Sequence, residues 1–157
     1  MSQSSSFGAV VIDANILISI CSNEPSSSTA ETALAGYANQ NWSFYAPNVI
    51  VAESLYALRQ KLRQGVLTQT EYDLAVEALK RQMAAILPPP NGEAALLQRA
   101  KEIQAGYGCS HSADCLYIAL AEELVKLQAT ELLTFDAGTI NQAAKNAPSV
   151  VINLLPV

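Results

Sequence analysis

The sequence predicts an α/β domain of three layers, with a central, mainly parallel sheet of about four to five strands covered by helices on both faces. Three observations carry this expectation. Short apolar runs rich in β-branched residues recur along the chain, as in Ala9-Val10-Val11-Ile12, and such runs suit strands buried on both faces. Stretches with helical periodicity separate them. Strands alternating with helices build a parallel sheet with helices on either side. At 157 residues, half of them hydrophobic and 15% charged, the chain can bury one core without disulfide staples. The expected division is a short disordered lead over residues 1–7 and a single domain over residues 8–157.

The first strand, Ala9 to Ile12, stops at Asp13, and a helix follows from about Ala14. Ser28-Thr29-Ala30-Glu31 reads as a capping box opening a second helix toward Gln40, and Trp42 to Ala46 as a second strand. Pro47 suits the first turn of a helix that runs through Val49, Ile50, Leu55, Leu58 and Leu62 to about Gln64, with Gly65 as its stop. Thr68 and Glu71 form another capping box, ahead of a stripe of Tyr72, Val76, Leu79 and Met83. Pro88-Pro89-Pro90 forces an extended break. Asn91 is the expected cap of a helix striped by Leu96, Ala100, Ile103 and Tyr107 and ending among Gly106 and Gly108. A further helix spans about Ser112 to Lys126. Glu131 to Phe135 is a strand ending at Asp136, a short helix covers about Thr139 to Lys145, and Val150 to Ile152 forms the last strand. Tyr56 and Tyr107 read as edges of the core.

Composition narrows the function. Cys21, Cys109 and Cys115 are odd in number and form no CxxC, which argues against a disulfide framework and for a reducing compartment. The N-terminal residues lack a positive segment and the first apolar run is broken at Asp13, so neither signal peptide nor membrane span is expected, and the protein reads as cytoplasmic. The net charge of −5 gives no overall basic footprint for nucleic acid. Three of the nine basic residues, Arg59, Lys61 and Arg63, nevertheless fall close together. They read either as phosphate contacts or as charges complementing the end of their helix.

Four acids stand out. Asp13 and Asp136 each directly follow a strand, and in an open parallel sheet functional groups gather beyond the carboxyl ends of strands. Glu53 is the only charged residue between Glu31 and Arg59, and Asp114 the only formally charged one between Glu102 and Glu122. A carboxylate buried unpaired on an apolar helix is costly, and no neighbouring Lys or Arg compensates it in sequence, so a bound cation is the economical answer. Four hard oxygen donors suit Mg²⁺ or Mn²⁺ rather than zinc. Asn15 and Thr134, each two residues from a strand-end acid, are placed to orient the ligands or a water. Each of Asp13, Asp114 and Asp136 also has a plain reading as a helix cap. His111, the single histidine, reads as a surface or capping group, and Cys109, His111 and Cys115 are irregularly spaced for zinc and lack a fourth ligand.

Val-Ile-Asp13-Ala-Asn15, Val-Ala-Glu53-Ser-Leu, Ala-Asp114-Cys-Leu-Tyr-Ile-Ala and Leu-Leu-Thr134-Phe-Asp136 resemble, in order and approximate spacing, the four motifs of the PIN-domain nucleases. The resemblance extends from about Ala9 to the final strand. It implies metal-dependent endoribonuclease activity, with Asp13, Glu53, Asp114 and Asp136 as catalytic and metal-holding residues. The compact size is similar to VapC-type toxins, which implies an antitoxin partner and a homodimer. Two rivals stand beside this reading. A PIN-like module that binds without cutting has no need of four costly carboxylates. A haloacid-dehalogenase-like phosphatase requires a second Asp two residues after the first, where this chain has Asn15.

Overall fold

The computed structural model describes residues 7–107 and 113–157. The expected lead, apart from Phe7, lies outside the described residues, as do Cys109, His111 and the side chain of Tyr107.

Strand β1 (Gly8–Ile12) is buried along its whole length, as its unbroken apolar sequence requires. It pairs in parallel with β2 (Trp42–Tyr45) on one side and β4 (Thr130–Thr134) on the other. Two short strands, β3 (Ile86–Leu87) and β5 (Val151–Leu154), close the edges, giving the order β3-β2-β1-β4-β5 with every pair parallel. Strand β3 escapes the sequence patterns because it is two residues long and is cut off by Pro88, which has no N–H for the ladder.

Helices α1 (Ala14–Cys21), α2 (Ser27–Asn39), α3 (Val49–Arg63) and α4 (Gln69–Ala84) pack on one another. They form one outer layer. Helices α5 (Leu97–Tyr107), α6 (Asp114–Val125) and α7 (Gly138–Asn146) form the other. Arg99 holds the second layer together: its Nε and Nη2 donate to the two carboxylate oxygens of Glu122 at 2.6 and 3.0 Å, and Nη2 also donates to the carbonyl of Asn146 at the end of α7. The chain leaves β1 toward β2 and β3, then crosses back to β4 and β5. In open parallel sheets such a reversal puts the functional crevice beyond the carboxyl ends of the strands that flank it, here β1 and β4.

Several local expectations are corrected. Helix α2 opens at Ser27 and makes no side-chain cap bond, because Ser26 Oγ is engaged with Ser19 Oγ at 2.7 Å, fastening the start of α2 to α1. Asn91 does not cap α5. Gly92, at φ +85°, turns the chain first, and a 3-10 turn over Ala94–Leu96 leads into the helix. On α3 the buried face is Ile50, Ser54 and Leu58 at i, i+4, i+8. Leu55 is 42% exposed and Tyr56 66% exposed, so Tyr56 is a surface residue rather than a core edge.

The capping box on α4 forms as expected: Glu71 N–H donates to Thr68 Oγ1 at 3.1 Å and Thr68 N–H to Glu71 Oε1 at 2.9 Å. Thr68→Ala removes the acceptor and is expected to cost about 1 kcal/mol in urea denaturation, while Thr68→Asn stays near wild type. Equal losses in both variants would mean that α4 does not depend on this cap.

Candidate active site

Because β1 and β4 are neighbours, Ile12 pairs with Leu133 and the two strand ends finish together. Asp13 N–H extends the ladder by donating to Leu133 O at 3.1 Å. Asp13 occupies the cap position of α1 with extended backbone, yet its side chain makes no cap bond. The carboxylate turns toward β4 instead. Oδ2 accepts from Thr134 Oγ1 at 2.8 Å and from Asn15 Nδ2 at 3.4 Å.

Thr134 is fully buried, and its hydroxyl is saturated. It donates to Asp13 and accepts from Asn15 Nδ2 at 3.1 Å and from Asp136 N–H at 3.0 Å, using its one proton and two lone pairs. Asn15 Oδ1 in turn accepts from Phe135 N–H at 3.3 Å. Thr134 and Asn15 therefore lock the Asp13 carboxylate between the two strand ends, and Asn15 carries no carboxylic proton to give in the manner of a phosphatase acid.

Helices α3 and α6 bring Glu53 and Asp114 to the same crevice from opposite layers. Glu53, partly buried, accepts from Tyr117 Oη at 2.6 Å. Asp114 is the first residue of α6, with Ala113 at the cap position, so its carboxylate stands in the first turn, where the helix dipole favours negative charge. It accepts from Gln142 Nε2 of α7 at 3.3 Å. Burial pushes the Asp13 carboxyl up to about 7; the Thr134 bond opposes this, and the charges of Asp114 and Glu53 add to it. Glu53 is raised as well, by burial and by the Asp114 charge, against the Tyr117 bond. Three of the four acids thus act on one another, and no lysine or arginine among the described residues forms an ion pair with Asp13 or Glu53.

Asp136 stands at the rim. It is exposed, and its Oδ1 accepts from Gly138 N–H at 2.8 Å in a tight local turn. A Cβ on Gly138 would lie 3.1 Å from that oxygen, so the absence of a side chain there admits the carboxylate. The backbone of Asp136 joins the network through Thr134, while its carboxylate serves the start of α7. Among the described residues no three Asp, Glu, His or Cys side chains already converge on a single metal position.

The basic trio divides. Lys61 Nζ pairs with Glu24 at 3.2 Å, tying α3 to the loop after α1, while Arg59 and Arg63 are exposed one turn apart. Tyr117 and Gln142, both buried and both bonded to candidate acids, escape sequence reasoning. The one available signal for Tyr117 is its place three residues after Asp114, on the same face of α6.

In the metal-free protein the folded state holds a proton on Asp13 between its ordinary value of 3.8 and about 7, whereas the unfolded chain does not. Stability therefore falls as pH rises through that window, by at most about 1.4 kcal/mol per pH unit from this group. Urea denaturation of chelated protein is expected to give higher stability at about pH 5 than at about pH 8, and Asp13→Asn to flatten the difference. An Asp13→Asn variant as pH-dependent as wild type would assign the effect to other groups.

The sequence profile described as "PIN domain" matches residues 10–146. Comparison with curated proteins gives no significant match. Among solved structures, the chain is similar to VapBC2 from Rickettsia felis, crystallised bound to a DNA fragment from their promoter (TM-score 0.60, 14% identity, covering 94% of this chain and 98% of that one). It is also similar to FitAcB from Neisseria gonorrhoeae (0.57, 17%, 91% and 95%) and to PAE2754 from Pyrobaculum aerophilum (0.53, 16%, 96% and 87%). The identities are low and the coverage nearly complete, so these structures share the fold. With the profile spanning most of the sequence, from inside β1 to the end of α7, the chain belongs to the PIN-domain family.

Proposed function

We propose that the protein is a Mg²⁺- or Mn²⁺-dependent endoribonuclease hydrolysing RNA phosphodiester bonds at the crevice beyond β1 and β4. The observation that carries this reading is the burial of Asp13 among the like charges of Glu53 and Asp114, with no cationic side chain among the described residues facing it. A divalent cation relieves that arrangement, and hard carboxylate oxygens are the donors such a cation takes.

In this reading Asp13, Glu53 and Asp114 hold the cation, with Asp136 joining from the rim. Thr134 and Asn15 keep the Asp13 carboxylate in one orientation. When bound, the cation supplies a Lewis acid that lowers the pKa of a water and offsets charge developing on the phosphorus oxygens. Arg59 and Arg63, exposed on the helix that carries Glu53, meet the backbone phosphates. Lys61, engaged with Glu24, does not.

A small antitoxin protein covering the acidic crevice and a homodimer are the partners expected with this reading, and the resemblance to VapC-type toxins supports them. A cytoplasmic setting agrees with the free thiols of Cys21 and Cys115. Among the described residues no helix is long and apolar enough to cross a membrane.

Asp114→Asn separates a ligand from a helix-end charge, because losing a favourable first-turn charge alone lowers stability, whereas losing one of three like charges raises it. Without metal the variant is expected to melt above wild type, since one of three like charges is gone. With Mn²⁺ it is expected to gain less stability than wild type, and its cleavage of single-stranded RNA to be largely lost. Equal melting temperatures and equal Mn²⁺ shifts would remove Asp114 from the site, wild-type cleavage surviving exhaustive chelation would overturn metal dependence, and Mn²⁺ binding without cleavage of any RNA would leave a binding module.

Changing Arg59 and Arg63 to Gln is expected to weaken RNA affinity and to reduce the slope of log K against log salt by roughly 0.7 per lost contact. Lys61→Gln is expected to leave the slope unchanged. A loss caused by Lys61→Gln equal to that of the arginine pair would return all three to one phosphate patch.

A further inference from the structure

Tyr117 is 1% exposed, and its hydroxyl meets residues of two other elements. Helix α6 carries the ring. Its Oη donates to Glu53 Oε1 on α3 at 2.6 Å and lies against the backbone N–H of Ala14, the residue after Asp13 where β1 passes into α1. Because Tyr117 follows Asp114 by three residues, the same face of α6 presents both side chains to the crevice. A buried phenol needs a hydrogen-bond partner, but a backbone carbonyl would have served that need; this one is spent on a carboxylate of the candidate site.

Glu carries three side-chain torsions and loses considerable rotamer freedom when ordered. Glu53 is only partly buried and lies mid-helix, so little else on α3 fixes where its carboxylate sits. Tyr117 has two torsions and a ring clamped in the core. A rigid donor therefore determines the position of a flexible acceptor.

We propose that Tyr117 is a positioning residue: its hydroxyl fixes Glu53 Oε1 and leaves Oε2 as the oxygen offered to the cation, so that Glu53 ligates through one oxygen in a preset place. The inference rests on the metal-site reading above. Loss of such a supporting hydrogen bond typically weakens metal binding about 10–100-fold.

The test is the Mn²⁺ affinity of the full chain, measured by calorimetry for wild type, Tyr117→Phe, Glu53→Ala and the double variant. Tyr117→Phe is expected to weaken Mn²⁺ binding roughly 10–100-fold in the wild-type background and to cause no further loss in the Glu53→Ala background, since the hydroxyl acts only through Glu53. Unchanged affinity in Tyr117→Phe, or the same loss with and without Glu53, overturns the proposal. If wild type binds no Mn²⁺, or binds it equally well without Glu53, the metal-site reading itself fails and the positioning role falls with it. Should Tyr117→Phe not fold, the wild-type protein carries the test. Its Tyr117 hydroxyl proton, protected by the bond to Glu53, is expected in the NMR spectrum and absent from that of Glu53→Ala. A proton that persists in Glu53→Ala overturns the role.

Discussion

The Asp13 carboxylate lies at the end of the most buried strand of the sheet, held by the Thr134 hydroxyl and faced by the charges of Glu53 and Asp114. An ionised carboxylate in that position is costly, and the protein supplies neutral donors rather than a Lys or Arg to offset it. The surroundings are built to keep the carboxylate in place. Thr134 spends its whole hydrogen-bonding capacity on Asp13, Asn15 and Asp136, and Asn15 reaches back to the Phe135 N–H. The strain of like charges is thereby retained in the folded protein, which agrees with the cation site proposed above.

The fold makes this possible through one topological fact. With β1 and β4 adjacent and parallel, their carboxyl ends open on the same crevice, and the chain reversal between the two halves leaves it uncovered by a crossover. Helices α3 and α6 then approach from opposite layers, each bringing one acid. The Tyr117–Glu53 bond joins those layers across the site, and Gln142 ties Asp114 to α7. Hydrogen bonds to the candidate acids thus tie α1 to β4, and α3 and α7 to α6.

Much of this was legible in the sequence because the signals were local. β1 and β4 declare themselves by apolar runs, α4 by a capping box that forms as written, and Asp13 and Asp136 by following strands. Glu53 and Asp114 stood out as charges in apolar surroundings. What remained hidden depended on contacts distant in sequence. Ser26 caps nothing because Ser19 takes its hydroxyl, Tyr56 is exposed because Ser54 rather than Leu55 lies on the buried face of α3, and Lys61 is drawn away by Glu24. For Tyr117, nothing local reveals that its hydroxyl meets a residue 64 positions away. For Asp136, the position after a strand does not reveal that its carboxylate also accepts from Gly138 N–H in a local turn.

The central claim is that the like-charged group of Asp13, Glu53 and Asp114 exists to hold a divalent cation. A crystal of the protein grown or soaked with Mn²⁺ and measured at the manganese absorption edge addresses this directly. An anomalous peak is expected within coordination distance of the Asp13 carboxylate and of at least one of Glu53 and Asp114, with Thr134 still bonded to Asp13. Saturating Mn²⁺ that leaves the crevice without a peak, or that binds only elsewhere on the surface, would contradict it.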